Sequence, residues 1–363
     1  MKKFVYVIGD GQLSLMLFQA GSILGIPVIP ISLNNKQKQF NIIPNRNNII
    51  TIEIENWKNT QYIQTICENN TFINCNILPL ISDRLNQKKL INQLKLPTSP
   101  WIEINRCCHW KEIFYTLGED IILKKRTGGY NGKNQYQISF ENQKNFDLNL
   151  YKNYIAEKKI KFIEEMSLIG ARNKSGKIVF YPITFNFHEK GILKCSIPDI
   201  NNRYALQNKA ELILSHFMTS KNYIGVVAME FFVLKNNQII INEISPRVHN
   251  SGHWTQDGAS INQFELHLRS ILDLPIPTPK INCLSVMINI IGENINIDWL
   301  NDSLLCLHWY NKNISKYRKV GHINLVSNSY NELKNSIKNL EKKLLNQYDI
   351  SFSWLIKKLR YMK

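Results

Sequence analysis

Over the first 95 residues, short apolar runs of β-branched and aromatic residues alternate with stretches of helical periodicity. FVYVIG at 4–9, IPVIPIS at 26–32, NIITIEIE at 48–55 and TFINCN at 71–76 predict strands. Apolar positions recur at helical spacing from Gln12 to Ile23, directly after the first strand. Such βα alternation implies a mostly parallel sheet. A helix is expected from about Ser82 to Leu94 with Ser82 as its N-cap, stopped by the prolines of LPTSPW at 96–101. Beyond it the pattern changes to hairpin-like strands separated by glycine turns, with one helix near 205–220 and a strong strand pair in GVVAMEFFVLKNNQIIINEISPR. After the proline-rich LPIPTPK the chain resumes with LSVMINIIG and LCLHWY and ends in a helical pattern. The expected organisation is an α/β Rossmann-like unit over 1–95, an α+β unit over 96–275 and a small β-rich unit over 276–363.

Composition narrows the class. Hydrophobic residues make up 44% of the 363 positions, which suits a folded globular chain, and no apolar run reaches the roughly twenty residues of a membrane span. A cytoplasmic protein with no membrane partner is expected. The net charge of +17 raises the question of nucleic acid, but the lysines are spread along the chain among many asparagines rather than gathered in a stripe. No nucleic-acid partner is expected. The seven cysteines show no CxxC spacing and read as reduced thiols.

Four stretches carry chemistry. YVIGDGQLSLM joins a strand to a helix through Gly9 and Gly11, as dinucleotide-binding units begin, but Ser14 stands where a third glycine is needed and the second strand ends without an acidic residue. A helix N-terminus behind such a turn still suits a phosphate. In AMEFF and INEIS, a two-residue turn at Asn236-Asn237 makes partner numbers sum to 473, which sets Glu230 opposite Glu243. Facing carboxylates repel unless a cation lies between them, and hard oxygens suit Mg²⁺; the alternative is that a bulge turns one of them to solvent. ILKKRTGGYNGKNQ places Lys124 or Lys125 before a loop with Gly128, Gly129 and Gly132, whose N–H groups can approach phosphate oxygens, or which forms an ordinary hairpin turn. EISPRVHNSGHWT, with Arg247, His249, Asn250, Ser251 and His253, follows the carboxylate strand, and YRKVGHINL adds Arg318, Lys319 and His322; both also read as solvated turns.

Taken in order, GDGQL, DRLNQK, KKRTGGYNGK, AMEFF, NEISPRVHNSGHWT, QFELHLR and RKVGHIN closely resemble the 5-(carboxyamino)imidazole ribonucleotide synthase family of the ATP-grasp superfamily, over essentially the whole chain. The resemblance implies a pre-ATP-grasp domain, an ATP-grasp domain and a C-terminal β-rich domain, in a homodimer that passes its product to a mutase. The implied reaction carboxylates aminoimidazole ribonucleotide with bicarbonate at the expense of ATP, with Mg²⁺ or Mn²⁺ as the metal. Arg84 and Lys124 would meet the phosphates under the loop Gly129, Tyr130, Asn131, Gly132, Lys133, Asn134 and Gln135. Glu157, Lys158, Lys159 and Ile160 would line the adenine, Glu165 the ribose, and His188 would lie near the nucleotide. Glu230 and Glu243 would hold the metal, with Asn242 beside them. Tyr130, Lys133 and Lys319 would act on the imidazole substrate and bicarbonate. Gly11, Gln12, Leu13, Glu53, Glu55, Asn250, Ser251, His253 and Arg318 would complete the substrate side.

The chain departs from the family's usual GQLGRM with GQLSLM and from GYDGRG with GYNGKN, so Lys133 keeps a cation without arginine's fork. Alternatives are another ATP-grasp ligase, such as a formate-using glycinamide ribonucleotide transformylase, a nucleotide-binding protein without turnover, and a nicotinamide oxidoreductase.

Overall fold

The computed structural model describes residues 3–33, 48–55, 61–68, 71–105, 108–129, 132, 134–201, 204–344 and 346–360. At its N-terminal end, β1 (Val5–Ile8) lies between β2 (Val28–Ile31) and β3 (Ile49–Ile52), both parallel to it, with α1 (Gln12–Ile23) as the first crossover. TFINCN supplies only a bridge from Phe72 to Ile50, because Asn74 turns the chain at φ 61°. Helix α2 (Gln61–Cys67) precedes it. The helix expected from Ser82 is two elements: Ser82 ends α3 (Leu78–Ser82), and α4 (Arg84–Gln93) starts after Asp83, whose carboxylate accepts from Leu85 N at 2.8 Å. Aspartate won the cap because it directly precedes the first helical residue.

A four-stranded sheet follows in the order β4 (Trp101–Glu103), β7 (Tyr154–Lys158), β5 (Asp120–Lys125), β6 (Gln135–Ser139), backed by α5 (Trp110–Leu117). The largest sheet among the described residues runs β13 (Ile239–Ser245), β12 (Gly225–Val233), β8 (Glu164–Arg172), β10 (Thr184–Glu189), β11 (Ile192–Pro198), β14 (Leu284–Ile291), β16 (Lys319–Ser327), β15 (Leu305–Trp309), with β9 (Ile178–Phe180) beside β8. Strands from the C-terminal third thus continue the central sheet without a break.

Both faces of this sheet are covered. Helix α6 (Tyr204–Ser220), at the position expected near 205–220, packs on one face with α9 (Tyr330–Glu341) and α10 (Asp349–Arg360). The turn α7 (Thr255–Gly258), α8 (Gln263–Ile271) and α1 cover part of the other. Strand period decides which side chains reach which layer. Along β12, Val227, Met229, Phe231 and Val233 enter the first core and Val226 and Ala228 the second. Past the end of α8 that second face is uncovered, and its next positions, Glu230 and Phe232, look into a cleft. Register shifts occur between Glu230 and Phe231, between Phe187 and His188, and between Ile290 and Ile291.

Candidate active site

Glu230 pairs with Glu243, but not by the expected route. Leu234 and Gln238 flank a three-residue turn with Asn237 at φ 57°, so pairs near the turn sum to 472, as in Phe231 with Ile241. The extra residue Asn242 then shifts the register by one and brings Glu243 opposite Glu230. The bulge does not turn either carboxylate to solvent; Glu230, Asn242 and Glu243 all line the cleft.

The carboxylates polarise their surroundings. Burial raises the Glu230 pKa above its ordinary value, His188 opposes the rise, and Glu243 adds to it. Arg84 Nη2 reaches Glu243 Oε2 at 3.0 Å and also donates to the Gly129 carbonyl at 3.3 Å. Lys124 Nζ lies 3.1 Å from Glu157 Oε1 and 3.0 Å from Asn242 Oδ1. Glu157 is nearly inaccessible and also receives Lys88 Nζ at 2.9 Å and the Ser99 hydroxyl at 2.6 Å. Burial alone would raise its pKa, but Lys124 and Lys88 hold it down at about 2. Glu165 and His188 meet at 3.0 Å. Burial is the largest single influence and lowers the His188 pKa, but the hydrogen bond and charge of Glu165, with the charge of Glu230, together raise it overall.

One cleft of about 1220 Å³ joins this region to the N-terminal sheet and the β15–β16 turn. At that far end Glu53 Oε1 accepts from Gly11 N at 2.7 Å, and Oε2 from Leu13 N at 3.1 Å and Ser14 N at 3.3 Å. An acceptor of the kind that a helix N-terminus attracts is thus supplied by the chain itself. A Cβ on Gly9 or Gly11 would stand 2.4 or 2.6 Å from Glu53, and Gly9 has φ +114°. The glycines that resemble a dinucleotide fingerprint make room for this carboxylate. Gln12 accepts from Lys312 at 2.5 Å, and Glu55 pairs with Arg247 at 2.8 Å. Lys319 lines the wall with Arg318, and burial lowers its pKa to about 8 against the pull of Glu230.

Of the residues expected from sequence, Gly129, Gly132, Gln135, Lys158, Lys159, Ile160 and Leu13 also border the cleft. Tyr130, Asn131 and Lys133 lie outside the described residues. Asn134 adopts φ 58° and is not part of the cleft wall. Asn250 borders the cleft, and its side-chain amide finds no hydrogen-bond partner among the described residues. Ser251 and His253 are fully buried behind that wall. Sequence reasoning missed Lys88, one helical turn after Arg84; Phe232, two residues after Glu230 and stacked on Phe162 at 4.6 Å; and Lys312. Helical and strand periods were signals for the first two. Lys312 had none.

Glu230 and Glu243 offer hard oxygens that repel each other, which fits a divalent cation. Among the described residues no group of three His, Cys, Asp or Glu side chains is arranged to hold a metal alone, so such an ion would complete its shell with phosphate oxygens and water.

A family model described as the ATP-grasp domain matches residues 89–264, and one described as the phosphoribosylaminoimidazole carboxylase C-terminal domain matches 285–336. The N5-carboxyaminoimidazole ribonucleotide synthase of Escherichia coli (strain K12) is 44% identical over 352 residues, 97% of this chain and 98% of that one. The chain belongs to the N5-carboxyaminoimidazole ribonucleotide synthase family. The fold agrees with that of the solved N5-carboxyaminoimidazole ribonucleotide synthetase of Thermus thermophilus, at a TM-score of 0.83 and 29% identity, covering 93% of this chain and 98% of that one. A carboxyaminoimidazole ribonucleotide synthase from Aspergillus clavatus, solved complexed with ATP, aligns at TM-score 0.83 and 26% identity, covering 94% and 98%. An ATP-grasp fold with this family's C-terminal domain is the architecture that the resemblance implied.

Proposed function

We propose that this chain carboxylates 5-aminoimidazole ribonucleotide: ATP, bicarbonate and the ribonucleotide give 5-carboxyaminoimidazole ribonucleotide, ADP and phosphate. The observation that carries this reading is the single cleft, with facing carboxylates, Arg84 and Lys124 at one end and Glu53, Lys312, Arg318 and Lys319 at the other. Two anionic substrates can meet there without leaving the protein.

Bicarbonate is a poor electrophile. Its oxygen attacks the γ-phosphorus of ATP, ADP leaves, and the resulting carboxyphosphate donates its carboxyl carbon to the ribonucleotide amine as phosphate departs. Such chemistry is mostly positioning and charge neutralisation. The stacked Phe162 and Phe232 offer a flat apolar wall beside Lys158 to Ile160 that suits a purine base. Arg84 and Lys124 sit where phosphates would follow, each now neutralised by a carboxylate that nucleotide binding would release. Glu230 and Glu243, with the Asn242 oxygen, would hold Mg²⁺ or Mn²⁺, which would offset phosphate charge. Lys319 and Arg318 would attract bicarbonate and substrate phosphate, and Glu53 would contact the ribose. Tyr130 and Lys133 belong to the same proposal, as do a homodimer, a cytoplasmic location and a mutase that receives the product. No helix among the described residues is long and apolar enough to cross a membrane.

The test is ADP release from the purified chain with ATP and Mg²⁺. Stimulation that needs both bicarbonate and aminoimidazole ribonucleotide is expected. Stimulation by formate with glycinamide ribonucleotide, or nucleotide binding without turnover, would overturn the proposal.

A further inference from the structure

A line of buried polar groups runs behind the cleft wall and ends on His249. The Ser196 hydroxyl on β11 donates to Asn186 Oδ1 on β10 at 2.8 Å, and Asn186 Nδ2 donates to Ser167 Oγ on β8 at 3.0 Å. Ser167 donates to Ser251 Oγ at 2.7 Å, and Ser251 Oγ lies 2.8 Å from His249 Nδ1. The far ring nitrogen, Nε2, is 3.3 Å from Glu230 Oε1 and faces the cleft. All three serines and Asn186 are at most 3% exposed. Bulk water does not compete for these bonds.

Hydroxyls and an amide could run in either direction, since each serine can turn its proton and Asn186 can exchange its oxygen and nitrogen. One contact removes the ambiguity. The backbone N–H of Ser251 donates to His249 Nδ1 at 3.3 Å, and a backbone N–H cannot accept. Nδ1 is therefore an acceptor, for this N–H and for the Ser251 hydroxyl, and the proton of the neutral ring is on Nε2. A carboxylate opposite Nε2 requires the same assignment, because it can only accept. Gln263 holds the loop: its Oε1 accepts from His249 N at 2.8 Å, and its Nε2 donates to His249 O at 2.7 Å. Neither the ring nor the backbone under it is free to swing.

We propose that Ser251, backed by Ser167 and Asn186, is a positioning residue that keeps His249 a neutral hydrogen-bond donor at Nε2, aimed at Glu230 and the cleft. This deepens the carboxylating reading of the cleft and rests on it for the catalytic consequence. A ring held this way supplies an N–H to an anionic oxygen and does not serve as a base at Nε2. It also gives Ser251 a function, although the residue never reaches the cleft.

The test has a spectroscopic arm that does not depend on turnover. In the whole protein labelled with ¹⁵N-histidine, long-range ¹H–¹⁵N spectra at pH 7.5 should show His249 with an unprotonated Nδ1 and a protonated Nε2, assigned by loss of the signals in His249→Gln. Ser251→Ala keeps the backbone N–H and should keep the Nε2–H tautomer, but it loses the hydroxyl that holds the ring at Nδ1. It should lower kcat about tenfold or more, with the KM for ATP within about twofold, because a donor at a reacting anion is typically worth that much. His249→Gln, whose amide nitrogen falls near Nε2, should keep more activity than His249→Asn, whose amide nitrogen falls near Nδ1. Protonation at Nδ1 in the unmodified protein would overturn the proposal, as would Ser251→Ala with full kcat. If Ser251→Ala fails to fold, the glutamine and asparagine variants decide: equal or reversed activities refute the donor role. A wild-type protein that shows the Nε2 tautomer but no carboxylation would leave Ser251's positioning of the ring supported and overturn the function proposed for the cleft.

Discussion

His267 should make the fold acid-sensitive in a window that can be calculated. It lies on α8 at 2% exposure, with Nδ1 accepting from Val226 N at 3.1 Å and Nε2 2.9 Å from Thr51 Oγ1. Because Nδ1 takes a backbone N–H, the ring is neutral and donates at Nε2, clamping the first strand layer to the start of β12. Gly225, at φ +106°, leaves room for it; a Cβ there would be 2.9 Å from the ring. Burial lowers the His267 pKa from 6.5 to about 4. The folded state then binds fewer protons than the unfolded chain between these values, so the contribution is intact above pH 6.5 and is lost as pH falls toward 4. At pH 5 the loss is about 2 kcal/mol and at pH 7.5 it is below about 0.1 kcal/mol. His267→Gln removes the titration, and at neutral pH it should cost about 1–2 kcal/mol through lost packing and hydrogen bonding. Urea unfolding followed by tryptophan fluorescence at the two pH values measures the difference between wild type and variant. That difference should shift by about 2 kcal/mol in the variant's favour at pH 5. An equal difference at both pH values would refute the buried, neutral assignment.

Three further outcomes are expected. Glu243→Gln should lower ATP turnover about a hundredfold or more, read as ADP release, since it halves the charge facing a cation; normal turnover would remove the metal assignment. Lys319 is a cation below about pH 8 and loses its charge above it. The kcat/KM for the ribonucleotide should therefore fall on the alkaline side, and Lys319→Arg should move that limb up by more than about one pH unit. Gly11→Ala drives a methyl group to 2.6 Å from Glu53 Oε1, so it should raise the KM for the ribonucleotide and leave that for ATP unchanged. Initial-rate kinetics in each substrate would show the opposite pattern if Glu53 served the nucleotide end.

Periodicity made much of the molecule legible. The parallel N-terminal strands, the helix at 204–220 and the strand pair bearing Glu230 and Glu243 follow from patterns of two and 3.6. The carboxylate pairing was reached through two compensating differences, a turn longer by one residue and a bulge at Asn242, neither of which leaves a mark in hydrophobic alternation. Glycine spacing at Gly9 and Gly11 says only that something approaches closely. That the neighbour is Glu53, some forty residues on, is a tertiary fact. Ser251 and His253 sit in a stretch rich in polar residues, and polarity alone does not separate a cleft wall from a buried polar network. Lys88 could have been read from helical spacing, whereas Lys312 depends on how the β15–β16 turn folds back over α1.

Five strand steps separate β12 from β16 in the central sheet, a path of about 24 Å if it were flat. Glu230 and Lys319 nevertheless stand close enough to shift each other's protonation. The sheet must curl toward a half-barrel, and its register shifts at Glu230, at His188 and at Ile291, the partner of Lys319, coincide with the strands' contributions to the cleft. Curvature here works like the set of a jaw. A single insertion or deletion in an intervening strand would shift its register, turn side chains such as Glu165 or His188 away from the cleft and alter the distance between its two ends.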